Sequence, residues 1–165
     1  QKTGSYWRQR GQPMTIESLV REYLSKINIM QLATSVGDQP WLCTVHYYHD
    51  KTLNLYWCSL PARRHSEEIS RNSQAAAYVL VHENTPDEDY VTGMTITGHA
   101  ELIGPKIDRE VFELYAKKHN ESDKFVKAVI NDESPYKFYR LKPNKITLFD
   151  NKNFPNDPRQ EWDLA

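Results

Sequence analysis

Apolar residues first recur at helical spacing. Ile16, Leu19, Val20, Tyr23, Leu24 and Ile27 fall at i, i+3, i+4, i+7, i+8 and i+11, which is one stripe along a helix. Thr15 stands where a side-chain oxygen can cap it, so this helix is predicted to lie against a core. The period then shortens to two. Ile29 to Ser35 reads as a strand, and Gly37-Asp38 supplies a turn before Pro40. Trp41 to His49 reads as a second strand, with Trp41, Cys43, Val45 and Tyr47 on one face and Leu42, Thr44, His46 and Tyr48 on the other. Asp50-Lys51 makes a short turn into a third strand, Thr52 to Cys58, and these two strands are expected to form a hairpin.

Ser59 to Asn72 reads as a loop and short helix, and Ala75 to Val81 returns as a strand. His82 to Asp89 is acidic and polar, hence a surface loop. Tyr90 to Ile103 is a long strand with a bend expected at Gly93 or Gly98. Asp108 and Ser122 can cap two helices, running to His119 and Asn131. Lys137 to Leu141 and Lys145 to Phe149 read as the last strands, parted by Pro143-Asn144. Six or seven mostly antiparallel strands with irregularly placed helices predict an α+β fold, mainly β, built as a small barrel. The polar stretch 1–14 reads as a flexible arm, 15–150 as the barrel and 151–165 as a tail.

Composition narrows the function. The 165 residues are 39% apolar and 26% charged, ordinary for a globular domain, and 12% aromatic, which suits strands or a flat ring to stack on. A formal net charge of −1 with no basic stripe argues against nucleic acid. No apolar run is long enough for a bilayer, and the N-terminus lacks signal-peptide order, so a cytoplasmic, non-membrane protein is expected. Cys43 and Cys58 lack metal-site spacing and read as reduced thiols. His46 and His49 fall on opposite strand faces and make a poor metal pair.

The chemistry gathers between Leu55 and His65. A strand ends at Ser59, Pro61 suits the first helical position, and Arg63, Arg64 and His65 crowd the first turn. Cations there oppose the helix dipole, and a bound anion removes the conflict. A plain surface turn, with the arginines paired to Glu67 and Glu68, accounts for the same residues.

Leu55 to Asn72 resembles the phosphate-binding segment of the pyridoxamine 5′-phosphate oxidase-like, FMN-binding split barrels. Ser59 matches a hydroxyl position at the strand end, Arg63-Arg64-His65 a Ser-Arg-Lys type triplet, and Ile69 and Asn72 the apolar and helix-ending positions. The resemblance extends over residues 15–150, through Pro40 to Val45, Met94 to Ala100 and Phe138 to Asp150. It implies a six- to seven-stranded antiparallel Greek-key split barrel and a homodimer with FMN at the subunit interface. Arg63 and Arg64 would neutralise the phosphate, assisted by Ser59 and His65, with Cys58 beside them. Thr44 and the backbone of Cys43 and Val45 would border the ring, and Phe154 and Trp162 of the tail could cover the partner's flavin. The tail read as a surface segment pinned by its two aromatics explains it equally well.

The sequence also departs from the oxidase pattern. Cys43 stands where that pattern has Arg, His65 replaces Lys, and Thr92-Gly93 replaces Arg-Gln. The closing Arg-x-His-x-Arg cluster that grips the oxidase substrate has no counterpart after Asp150. The resemblance thus implies an FMN-dependent oxidoreductase on a small organic substrate, with no residue singled out as a catalytic acid or base. A non-catalytic flavin protein of stress or sensing is the alternative, as is a barrel that binds haem or a deazaflavin. The tail after Asp150 carries no His for haem.

Overall fold

The computed structural model describes residues 14–82, 91–104 and 108–164. The expected arm, apart from Met14, and the loop positions from Glu83 to Tyr90 lie outside the described residues. Helix α1 (Ile16–Lys26) carries the predicted stripe: Leu19, Val20, Tyr23 and Leu24 are buried. Thr15 and Ser18 form a reciprocal capping box at its start. Each fully buried aliphatic side chain of this stripe contributes about 1.5–3 kcal/mol.

The strands form one antiparallel sheet. They are β1 (Ile29–Val36), β2 (Gln39–His46), β3 (Tyr48–His49), β4 (Leu55–Ser59), β5 (Gln74–His82), β6 (Thr92–Leu102), β7 (Lys137–Asp150) and β8 (Arg159–Asp163). Their order is β2-β1-β5-β6-β7-β4-β3, with β8 also pairing β7. The sheet curls around a core that includes Leu32, Trp57, Met94, Ile96 and Leu148. Helix α2 (Arg64–Arg71) follows β4; α3 (Arg109–Lys118) and α4 (Asp123–Ile130) bury Phe112, Tyr115 and Val129 with Phe138 in a second cluster. Asp108 and Ser122 cap α3 and α4 as predicted. This is an α+β split barrel, as the family resemblance implies, and the sequence pattern by itself predicts its small, mainly β barrel.

Several expectations are corrected. The strand read as Trp41 to His49 breaks at Tyr47, which is fully buried. Its N–H donates to the Asn28 carbonyl at 3.3 Å and its hydroxyl to the Leu24 carbonyl at 2.9 Å, outside the ladder. β2 therefore pairs with β1 through the Gly37-Asp38 turn, where Gly37 takes φ 62°, and only the two residues of β3 pair with β4. The third strand begins at Leu55 rather than Thr52. The Asp50 carboxylate gathers Thr52, Asn54 and Tyr56, and Leu53 sits at φ 67°, outside strand geometry.

β7 runs unbroken through Pro143-Asn144, because the ladder with β6 shifts register between Thr97 and Gly98 and accommodates the extra residue. The bend thus falls at Gly98, where a Cβ would lie 2.0 Å from the Lys142 carbonyl oxygen. The tail forms β8, which pairs with β7 from Lys145 to Phe149. Buried Asp150 anchors the intervening turn, accepting from the Tyr23 hydroxyl at 2.6 Å and the Asn153 backbone N–H at 3.0 Å.

Candidate functional site

β4 ends at Ser59, and a turn through Leu60-Pro61-Ala62 leads into α2. Pro61 does not occupy the first helical position. Arg63 is the N-cap, with its backbone N–H bonded to the Leu60 carbonyl at 3.1 Å. The Arg63 side chain makes no capping bond, so the first-turn N–H groups of this helix have no partner from the N-cap residue. Among the described residues, nothing pairs with the exposed guanidinium of Arg63.

Arg64 is held from two sides. Its Nε donates to Glu68 Oε1 at 2.8 Å, and its guanidinium lies 4.2 Å from the Trp41 ring centroid. Glu68 is only 7% exposed, and its other oxygen accepts from the Thr34 hydroxyl at 2.6 Å. The hydrogen bonds from Thr34 and Arg64 keep the Glu68 carboxyl below its ordinary pKa, so it stays anionic. The i,i+4 pairing expected of a plain surface turn therefore forms for Glu68, while the terminal nitrogens of Arg64 remain available. Asn72 ends α2 and donates to the Ser35 carbonyl at 3.0 Å, and Ile69 is buried beneath the helix.

His65 turns inward. It is 8% exposed; Nε2 meets Ser59 Oγ at 2.7 Å and Nδ1 meets Cys43 Sγ at 3.4 Å. Burial, and then the nearby charge of Arg63, lowers the pKa of the imidazole below its usual value. The three potential cations of the sequence thus become two guanidiniums and a neutral ring. Burial, followed by the Glu68 charge, raises the Cys43 thiol pKa, so Cys43 is a protonated thiol and not an activated nucleophile.

Cys43, Ser59, Arg63, Arg64 and His65 thus come together from three elements. Val45 packs against the main core, and Thr44 points to the opposite, exposed face of β2. Cys58, which the resemblance places beside the phosphate residues, packs with the second cluster. The alternation of β4 turns its thiol away from Ser59 and into the second cluster, where burial and Glu121 push its pKa up to about 12. Phe154 and Trp162 pack against the core of their own chain, as the pinned-tail reading has it. Trp41 and Thr34 are the partners that sequence reasoning missed, whereas the pairing with Glu68 was among its expectations. Only the i,i+4 spacing of Arg64 and Glu68 offered a signal. His46 stacks on His119 at 4.8 Å and is not brought to a common site with His49.

A curled antiparallel sheet with helices packed around it defines an α+β split barrel. The sequence model described as pyridoxamine 5′-phosphate oxidase matches residues 16–150. The chain belongs to that family. No curated protein matches it. Among solved structures, a conserved hypothetical protein of Mycobacterium tuberculosis is similar, with a TM-score of 0.70 at 16% identity, covering 90% of this chain and 93% of that one. A FAD-binding protein of Mesorhizobium loti is similar at TM-score 0.56 and 17% identity, over 80% and 90% of the two chains. The haem storage protein HutZ of Vibrio cholerae matches at TM-score 0.62 and 14% identity, over 79% and 91%. At these identities the likeness is one of fold.

Proposed function

We propose that this chain is an FMN-binding oxidoreductase acting on a small organic substrate, with the flavin phosphate at the start of α2. The observation that carries the reading is the start of α2, which its N-cap side chain leaves uncapped, flanked by the exposed Arg63 and the oriented Arg64. Backbone N–H groups and two guanidinium forks are the donor set that a phosphate dianion takes. The flavin, when bound, supplies the electron transfer. The residues of the chain bind and orient: Arg63 and Arg64 neutralise the phosphate, Ser59 adds a hydroxyl, and the β2 backbone around Cys43 to Val45 borders the ring. Neutral His65 acts beneath the site rather than as a further cation.

The working form is a homodimer in the cytoplasm. Ile29, Leu42, Tyr78, Leu80 and Phe149 are exposed on one face of the sheet, interspersed with Gln31, Thr44 and Thr95, a face that a second copy would cover symmetrically. Among the described residues no helix is long and apolar enough to cross a membrane.

The test is the visible absorption of the purified protein after incubation with FMN and removal of the excess. A retained two-banded flavin spectrum, released as FMN on denaturation, is expected. A protein left colourless by FMN refutes the reading, and a Soret band on the purified protein would put haem in its place. Oxidation of a reduced nicotinamide in the presence of an electron acceptor then separates an enzyme from a flavin carrier.

A further inference from the structure

Ser59, His65 and Cys43 form a chain of two hydrogen bonds that joins the end of β4, the first turn of α2 and the middle of β2. A neutral imidazole has one N–H and one lone pair, so its two contacts must run in opposite senses. In one arrangement Nδ1–H donates to Cys43 Sγ and the Ser59 hydroxyl donates to Nε2. Ser59 then offers only lone pairs to anything outside. In the other, the Cys43 S–H donates to Nδ1 and Nε2–H donates to Ser59 Oγ, which leaves the serine proton free.

The Cys43 end separates them, since a serine hydroxyl serves either sense. Thiol sulfur is a weak acceptor, whereas an imidazole lone pair is a strong one, so at that end S–H to Nδ1 is the better contact. Cys43 keeps its proton because it is partly buried close to the Glu68 carboxylate, and His65 stays neutral because it is buried near Arg63. Among the described residues, Ser59 Oγ has no hydrogen-bond partner besides His65. We propose that Cys43, acting through His65, directs the Ser59 hydroxyl so that it donates outward to an anion at the start of α2. The side chains of Cys43 and His65 are then positioning groups, and of the three side chains only that of Ser59 touches the phosphate. The inference rests on the phosphate reading of the helix start.

The proposal is tested on the intact protein in two ways. Two-bond proton–nitrogen NMR correlation in the ligand-free, ¹⁵N-labelled protein reports the His65 tautomer directly, and protonated Nε2 with bare Nδ1 is expected. FMN titration of Ser59→Ala, Cys43→Ala, Cys43→Ser and the Ser59→Ala/Cys43→Ala double variant measures the consequence. Ser59→Ala is expected to weaken FMN binding on the order of tenfold, the loss of one hydrogen bond to a charged group. Cys43→Ala should lose part of that, and Cys43→Ser, which keeps a donor, should recover it. In the Ser59→Ala background, removing Cys43 should change nothing further. Protonated Nδ1 in the wild type, or Ser59→Ala binding FMN as tightly as the wild type, overturns this inference and leaves the phosphate site standing. A wild-type protein that binds no FMN overturns both.

Discussion

Replacing Arg64 by alanine tests the site where its geometry is most constrained. The guanidinium donates through Nε to Glu68 and rests on Trp41, so its terminal nitrogens are held in place before any ligand arrives. A hydrogen bond to a charged group is worth about 1.5–3 kcal/mol, so its loss should weaken FMN binding by about 10- to 100-fold. The loss also uncovers Glu68, whose remaining side-chain hydrogen bond comes from Thr34. An unneutralised carboxylate then adds repulsion towards a phosphate, and Arg64→Ala/Glu68→Gln should bind FMN more tightly than Arg64→Ala alone. The fold should survive the change. The Arg64 side chain is 45% exposed, so solvent screens the ion pair, and the pair and the ring contact together contribute about 1–2 kcal/mol. That is a fraction of the roughly 5–15 kcal/mol that holds a domain together. Calorimetric titration with FMN, beside circular dichroism melts of the same samples, gives both quantities. A folded Arg64→Ala protein whose FMN affinity stays within about twofold of wild type would refute the placement of the phosphate.

Other substitutions test the frame that carries the site. Gly98→Ala should cost more than about 2 kcal/mol, because its Cβ would meet backbone, the Lys142 carbonyl oxygen at 2.0 Å. Gly93→Ala would put its Cβ 2.2 Å from the Tyr78 hydroxyl and 2.7 Å from its ring carbon, on a side chain that is 37% exposed and can swing aside, with the Val79 carbonyl oxygen at a tight 3.2 Å, so its cost should stay below that of Gly98→Ala, at about 1 kcal/mol. Equal melting-temperature losses for the two would sink that distinction. Burial, with the charges of Lys118 and Arg21 nearby, lowers the His49 pKa from 6.5 to about 4. Between those values the unfolded chain takes up a proton that the folded one refuses, so the His49 contribution is complete above pH 6.5 and is lost as pH falls towards 4. Urea unfolding at pH 7.5 and pH 5 should show His49→Gln losing about 1–2 kcal/mol less than wild type, and an unchanged pH response would contradict the burial argument. Leu80→Glu, on the exposed sheet face, should convert a sedimenting dimer into a folded monomer. A dimer that persists would move the interface elsewhere.

Local signals in the sequence determined helix α1 and the caps of α1, α3 and α4. The stripe of α1 follows from the helical period, and Thr15, Asp108 and Ser122 cap helices because a short polar side chain can reach nearby backbone N–H groups. The same local reading placed Ser59, Arg63 and Arg64 between a strand end and a helix start, and the family resemblance gave that placement its meaning. What it could not reach were pairings between distant residues. Trp41 meets Arg64, Thr34 meets Glu68 and Cys43 meets His65 only because β1 and β2 curl against α2. The unbroken β7, the two-residue β3 and the docking of β8 likewise depend on which strands become neighbours. Side-chain type and spacing act over a few residues, which is why caps, turns and stripes are legible in the chain itself. Register, the face a side chain ends on and the charge state of a buried histidine are set by what the folded sheet brings alongside, so only the tertiary structure decided them.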